Sequence, residues 1–87
     1  MNDTLSGRKI SITGIVQGVG FRPFVYTIAA SHHISGRVWN TSEGVEIEAF
    51  GNDVDLEQFC RNLQSQPPIL ARIDQFFIQT IPYHKET

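Results

Sequence analysis

A glycine-rich turn followed by an arginine is the feature of this sequence with the clearest chemical meaning. The turn is Gln17-Gly18-Val19-Gly20, and Phe21 and Arg22 follow it where an amphipathic helix is predicted to begin. Glycines allow successive backbone N–H groups to turn inward as an anion-binding nest. A helix N-terminus adds a partial positive charge. Together with Arg22, the turn predicts a site for a small oxyanion, for which phosphate is the natural ligand.

The start of this helix also lacks the groups that normally stabilise a helix N-terminus. Val19, Gly20 and Phe21 are poor N-caps, and the first turn contains Arg22 and no acidic residue. A cation there is unfavourable by up to about 1 kcal/mol, and a broken local rule often marks a functional site. The alternative is a strand-to-helix turn with a solvated arginine. The spacing matches neither the Walker pattern nor the dinucleotide fingerprint, so a small acid-phosphate compound is favoured over a nucleotide.

Six elements are predicted to position this turn. Alternating apolar residues indicate strands, and apolar residues at i, i+3 and i+4 indicate helices. The predicted order is strand 8–16, helix 22–33, strand 37–41, strand 45–50, a helix capped by Asn52 or Asp53, and strand 73–81. Gly36 is predicted to stop the first helix. The order βαββαβ predicts an α+β, ferredoxin-like sandwich in which two helices cover one face of a four-stranded antiparallel sheet.

Composition excludes several classes of protein. The 87 residues are 40% hydrophobic and 18% charged, which predicts one folded domain over residues 1–87. No apolar run approaches the roughly 20 residues of a membrane span, and no signal peptide is recognisable, so a cytoplasmic location is expected. The net charge of −2 argues against nucleic acid as a partner. The single cysteine, Cys60, and the three histidines do not have the spacing of a zinc site.

Two motifs resemble the signatures of the acylphosphatase family. They are Gly14–Arg22 (GIVQGVGFR) and Gly36–Glu46 (GRVWNTSEGVE). Two further segments, Phe21–Tyr26 (FRPFVY) and Pro67–Asp74 (PPILARID), are similar to the acylphosphatase-like N-terminal domain of hydrogenase-maturation carbamoyltransferases. The second resemblance implies that the chain is the excised first domain of a longer protein.

The resemblance implies a hydrolase that acts on acyl phosphates, with carbamoyl phosphate as the substrate in the carbamoyltransferases. It implies that Arg22 binds the substrate phosphate and that Asn40 holds the attacking water. The backbone N–H groups that surround the phosphate are implied to belong to Gln17, Gly18, Val19, Gly20 and Phe21. No metal or other cofactor is implied. The implied partners are the downstream domains of the same chain and the hydrogenase-maturation proteins.

Asn40 has the same strand parity as Val38, so it can point towards the phosphate loop if Val38 points towards the helices. Its alternative interpretation is a turn residue before Ser42. For the whole chain, a non-catalytic module that binds phosphate or carbamoyl phosphate and a free-standing acylphosphatase remain alternatives. An RNA-binding ferredoxin-like domain is disfavoured, because the first strand has no aromatic residue and the third has only Phe50.

Overall fold

Four strands and two helices follow one another in the predicted order βαββαβ. The computed structural model describes residues 4–85, so residues 1–3 and 86–87 of the predicted domain lie outside the described residues. The strands are β1 (Leu5–Ile15), β2 (Ser35–Asn40), β3 (Gly44–Asn52) and β4 (Arg72–Ile81), and the helices are α1 (Phe21–Ser31) and α2 (Asp53–Ser65). The sheet is antiparallel with the order β2-β3-β1-β4, which confirms the ferredoxin-like α+β architecture.

The core lies between the helices and one face of the sheet. Alternate residues of the two central strands supply it, as the period of a strand requires. Ile10 and Ile12 of β1 pair with Ile47 and Val45 of β3, and all four are buried. The helices contribute a stripe of apolar side chains to the same cluster: Phe21, Val25, Leu56, Phe59 and Leu63. Within residues 4–85, neither helix has the length and apolarity that crossing a membrane would require.

Helix α1 does not end at the predicted glycine. The left-handed residue after its C-cap is His33, with φ 57°, and not a glycine. The Ile34 N–H donates to the Ala29 carbonyl at 2.9 Å, as in a Schellman motif. The prediction that Gly36 stops the helix is therefore wrong. Gly36 lies inside β2 with a φ of 136°, and a Cβ atom there would clash with the Glu48 carbonyl oxygen, so both its backbone conformation and close strand packing require a glycine.

Helix α2 begins in the usual way for a protein helix. The Asn52 side chain accepts a hydrogen bond of 2.8 Å from the Asp55 N–H, and Asp53 and Asp55 place negative charge in the first turn. Of the two predicted caps, Asn52 is the one the structure uses. The N-terminus of α2 is therefore satisfied by its own chain, electrostatically and by hydrogen bonding.

Removal of this cap is expected to destabilise the domain. Asn52→Ala should lower the free energy of unfolding by about 1 kcal/mol, because the Asp55 N–H loses its acceptor. Urea unfolding followed by circular dichroism measures the change. Asn52→Asp is the matched control, since aspartate caps about as well as asparagine. Equal losses in the two variants would contradict the capping role.

Candidate functional site

The loop between β1 and α1 has the alternating backbone conformation of an anion nest. Gly18 and Gly20 have φ values of 73° and 81°, whereas Val19 between them does not have a positive φ. A Cβ atom on either glycine would meet nothing within 4 Å. These glycines are therefore required for their left-handed conformation and not for close packing. Alternation of this kind turns consecutive N–H groups towards one side of the chain.

The N-terminus of α1 is unsatisfied, as the sequence predicts. Its N-cap, Gly20, provides no side-chain hydrogen bond, and no acidic residue lies in the first turn. The first N–H bonded within the helix is that of Phe24, which donates to the Gly20 carbonyl at 3.2 Å. Among residues 4–85, no acceptor contacts the N–H groups of Gly18, Val19 or Gly20. These donors are therefore free to bind an anion.

Arg22 differs from the other arginines in its electrostatic surroundings. It is exposed, and within the described part of the chain its guanidinium has no carboxylate partner. Each of the other arginines forms an ion pair: Arg8 with Asp53, Arg37 with Glu48, Arg61 with Glu57, and Arg72 with Asp74. The positive charge of Arg22 adds to the positive end of α1 without local neutralisation. A guanidinium in this position can donate a forked pair of hydrogen bonds to an oxyanion.

Asn40 is the last residue of β2 and is exposed. Val38, two residues earlier, is buried in the core, so Asn40 lies on the helix-covered face of the sheet. Within residues 4–85 its side-chain amide has no hydrogen-bond partner. Asn40 therefore belongs to the strand and not to the following turn, and it presents a free amide at the end of β2.

The sheet topology brings Asn40 and the glycine loop to the same end of the domain. Asn40 pairs with Val45 of β3, and Val45 pairs with Ile12 near the C-terminal end of β1. The loop leaves β1 only a few residues later. A cavity of about 230 Å³ separates residues 14–17 from residues 42–44.

A side-chain contact that the sequence did not predict joins these two segments. The Gln17 amide nitrogen donates to the Thr41 carbonyl at 2.6 Å and to the Gly44 carbonyl at 2.7 Å. Thr41 in turn closes the β2–β3 turn, because its hydroxyl oxygen accepts from the N–H groups of Glu43 and Gly44. No local sequence signal indicates the Gln17 contact, since it spans 24 residues or more. The motif marked Gln17 only as part of the loop.

Cys60 and His32 lie away from this end of the domain. Cys60 is buried on α2, and burial raises the pKa of its thiol, an effect that nearby Arg8 partly offsets. A thiol of this kind is a poor nucleophile at neutral pH. His32 lies at the opposite end of α1 from the loop, where its ring bonds with the Asn62 amide at 2.8 Å. Among residues 4–85, no group of three His, Cys, Asp or Glu side chains forms a possible metal site.

Fold and site together define a ferredoxin-like domain with a left-handed glycine loop, an uncapped helix start and an arginine without an ion pair at one end. The profile of the acylphosphatase family matches residues 8–87. Acylphosphatase from Leuconostoc mesenteroides is 39% identical over 75 residues, which cover 85% of this chain and 83% of that protein. The chain belongs to the acylphosphatase family, whose members are hydrolases.

The chain is also similar to a domain of much larger proteins. It is 45% identical to a probable carbamoyltransferase HypF from Methanocaldococcus jannaschii over 73 residues, 84% of this chain but 10% of that protein. A crystal structure of full-length HypF in a phosphate- and nucleotide-bound form superposes with a TM-score of 0.90 and 41% identity. The match covers 94% of this chain and 11% of that one. The chain thus spans about a tenth of the length of these relatives.

The left-handed conformation of Gly20 generates a stability prediction. Gly20→Ala should lower the free energy of unfolding by about 1–2 kcal/mol, because an L-residue is strained at this φ although its Cβ has free space. Gly20→Asn should cost less, since asparagine tolerates the left-handed region. Thermal and urea unfolding measure both changes. If alanine were as stable as glycine, the loop would have a different conformation in solution.

Proposed function

We propose that this domain hydrolyses acyl phosphates at the 17–22 loop, with carbamoyl phosphate as its substrate. The single observation that carries the proposal is the unpaired Arg22 beside the unsatisfied N-terminus of α1. These groups concentrate positive potential, and no carboxylate of residues 4–85 forms an ion pair with Arg22. A phosphate dianion supplies the missing negative charge and the missing acceptors. The choice of a carbamoyl group rests on the similarity to carbamoyltransferases named HypF.

The phosphate is held by two kinds of donor in this proposal. The backbone N–H groups of residues 17–21 surround its oxygens, and the Arg22 guanidinium binds two of them side by side. Charge on these oxygens redistributes as the phosphoryl group is transferred, and preorganised donors stabilise that change. Because the loop and Arg22 supply the positive potential, the proposal needs no metal ion.

Asn40 orients the attacking water. Its amide bonds the water without titrating and holds it in line with the bond that breaks. The water oxygen attacks phosphorus, and the P–O bond to the acyl group breaks with its electron pair on the departing carboxylate or carbamate. The proton from the water leaves with the phosphate product. The leaving group is only weakly basic, so the mechanism requires no strong general acid.

The similarity to a small part of much longer carbamoyltransferases supports a wider role. We infer that the domain is the first domain of a cytoplasmic carbamoyltransferase that matures [NiFe]-hydrogenase. Its partners would be the downstream domains and the hydrogenase-maturation proteins. The similarity over 83% of an acylphosphatase supports a free-standing enzyme as the second candidate. A module that binds phosphate or carbamoyl phosphate without turnover is the non-catalytic alternative.

Arg22→Ala and Asn40→Ala should each abolish measurable hydrolysis of acetyl phosphate and carbamoyl phosphate. Loss of one preorganised donor raises such a barrier by about 2.7–4 kcal/mol, a factor of roughly 100 to 1,000 in kcat. Phosphate release measures the rate, and circular dichroism checks that the variants fold. Arg61→Ala is the matched control, because Arg61 is an exposed arginine on α2. Full activity in either site variant would refute the role assigned to that residue.

Binding and turnover are separated by a titration with inorganic phosphate. In ¹⁵N-labelled protein, phosphate should shift the amide signals of Gly18, Val19 and Gly20 and should shift them much less in Arg22→Ala. Shifts accompanied by hydrolysis support the enzyme, and shifts without hydrolysis support the binding module. If millimolar phosphate leaves these amides unperturbed, the loop is not a phosphate site.

A further inference from the structure

We propose that the Gln17 side chain is a positioning residue that sets the phosphate loop at a fixed distance from Asn40. This inference rests on the proposed function, and it concerns the side chain of Gln17, whereas only the backbone of that residue is assigned to phosphate binding. The side chain forms a strap across the cavity between the loop and the β2–β3 turn. Along the chain, Arg22 follows one end of this strap by five residues and Asn40 directly precedes Thr41 at the other end.

The strap is defined by two short hydrogen bonds from one amide group. Gln17 Nε2 lies 2.6 Å from the Thr41 carbonyl oxygen and 2.7 Å from the Gly44 carbonyl oxygen. Both distances are at the short end for N–H···O bonds. Carbonyl oxygens only accept, so the nitrogen of the amide must face them and uses both of its N–H donors. Another side chain of similar length without an NH₂ group cannot make this pair of bonds.

The strap ends on a rigid support. The Thr41 N–H donates to the Gly44 carbonyl at 2.9 Å, and the Thr41 hydroxyl accepts from two further N–H groups of the same turn. Backbone of β1 also packs tightly against this turn, because a Cβ on Gly44 would lie 2.0 Å from the Ile12 carbonyl oxygen. Asn40 directly precedes Thr41, so a support that fixes Thr41 also fixes the backbone of Asn40.

No strand pairing connects the loop to the β2–β3 turn in place of the strap. Pairing between β1 and β3 extends no further than Thr13 and Gly44. Beyond that point Gly14 and Ile15 pair only with β4, after an irregularity between Thr13 and Gly14. Within residues 4–85, the Gln17 bonds are the only hydrogen bonds that connect loop 17–20 to residues 40–44.

The consequence is a separation of binding from turnover. The groups that hold phosphate are the backbone N–H groups of the loop and Arg22, and these groups are present with or without the strap. The in-line placement of water does depend on it, because Asn40 and the loop belong to different segments. A misplacement of about 1 Å can cost a factor of about 100 in rate. Loss of the strap should therefore lower kcat and leave phosphate affinity nearly unchanged.

Gln17→Met tests this separation, because methionine has a similar length and no donor. With acetyl phosphate, kcat should fall about 10- to 100-fold, while KM and the Kd for inorganic phosphate change less than about threefold. Gln58→Met, at an exposed position on α2, is the matched control and should retain wild-type kinetics. An unchanged kcat in Gln17→Met, or a rise in KM alone, would overturn the proposal.

Gln17→Glu adds a readout that a general loss of stability would not produce. A carboxylate at this position faces two carbonyl oxygens and cannot bond to them, whereas the protonated acid can donate to one. The ratio of variant to wild-type kcat should therefore rise as the pH is lowered from about 8 to about 5, through the range where a raised glutamate pKa titrates. The same ratio for Gln17→Met should stay flat. A flat ratio for both variants would contradict the strap.

Folding and the proposed function are tested apart from the strap. Thermal unfolding at each pH shows whether the Gln17 variants are folded under the assay conditions. If the wild type shows no hydrolysis, the proposed function fails, and the strap is then judged by phosphate titration alone. Phosphate should shift the Asn40 side-chain amide signal in wild type but not in Gln17→Met, although loop amides shift in both. Equal shifts of the Asn40 signal in the two proteins would overturn the strap.

Discussion

The positive N-terminus of α1 has no negative partner within residues 4–85, and the arrangement of the site depends on this one electrostatic constraint. Gly20 gives no side-chain cap, the first turn has no acid, and Arg22 adds a full positive charge that no ion pair neutralises. In α2, Asn52 and the acids of the first turn satisfy the equivalent groups. The domain thus stabilises the start of α2 with its own side chains, whereas the start of α1 has no such partner among residues 4–85.

The fold brings the loop before α1 and Asn40 of β2 close together. Because β1 and β2 lie on either side of β3 and both run antiparallel to it, their C-terminal ends meet at one end of the sheet. The loop after β1 and Asn40 at the end of β2 are therefore neighbours, although residues 21–39 separate them in the chain. Gln17 bridges the remaining gap by bonding Thr41 and Gly44.

The relatives show that the same small domain occurs in two contexts. A free acylphosphatase is matched over most of its length, and a HypF carbamoyltransferase over a tenth. In this chain the sheet and the two helices form one apolar cluster from residues of the domain itself. Arg22 and Asn40 lie outside that cluster and are exposed, whereas Phe21 beside Arg22 is part of it.

The sequence by itself determined the features that depend on neighbouring residues. Apolar periodicity placed all six elements, and the glycines predicted the left-handed loop. Strand parity put Asn40 on the same face as Val38, and the burial of Val38 in the structure shows that this is the helix-covered face. The prediction that Gly36 ends α1 was wrong for two reasons. His33 adopts the left-handed conformation that ends the helix, and Gly36 is a glycine because of its positive φ and because it packs against the Glu48 carbonyl of the neighbouring strand. The free charge of Arg22 and the Gln17 strap were decided only by the tertiary structure. Both depend on which groups lie nearby in space, and contacts across 24 residues leave no local pattern in the chain.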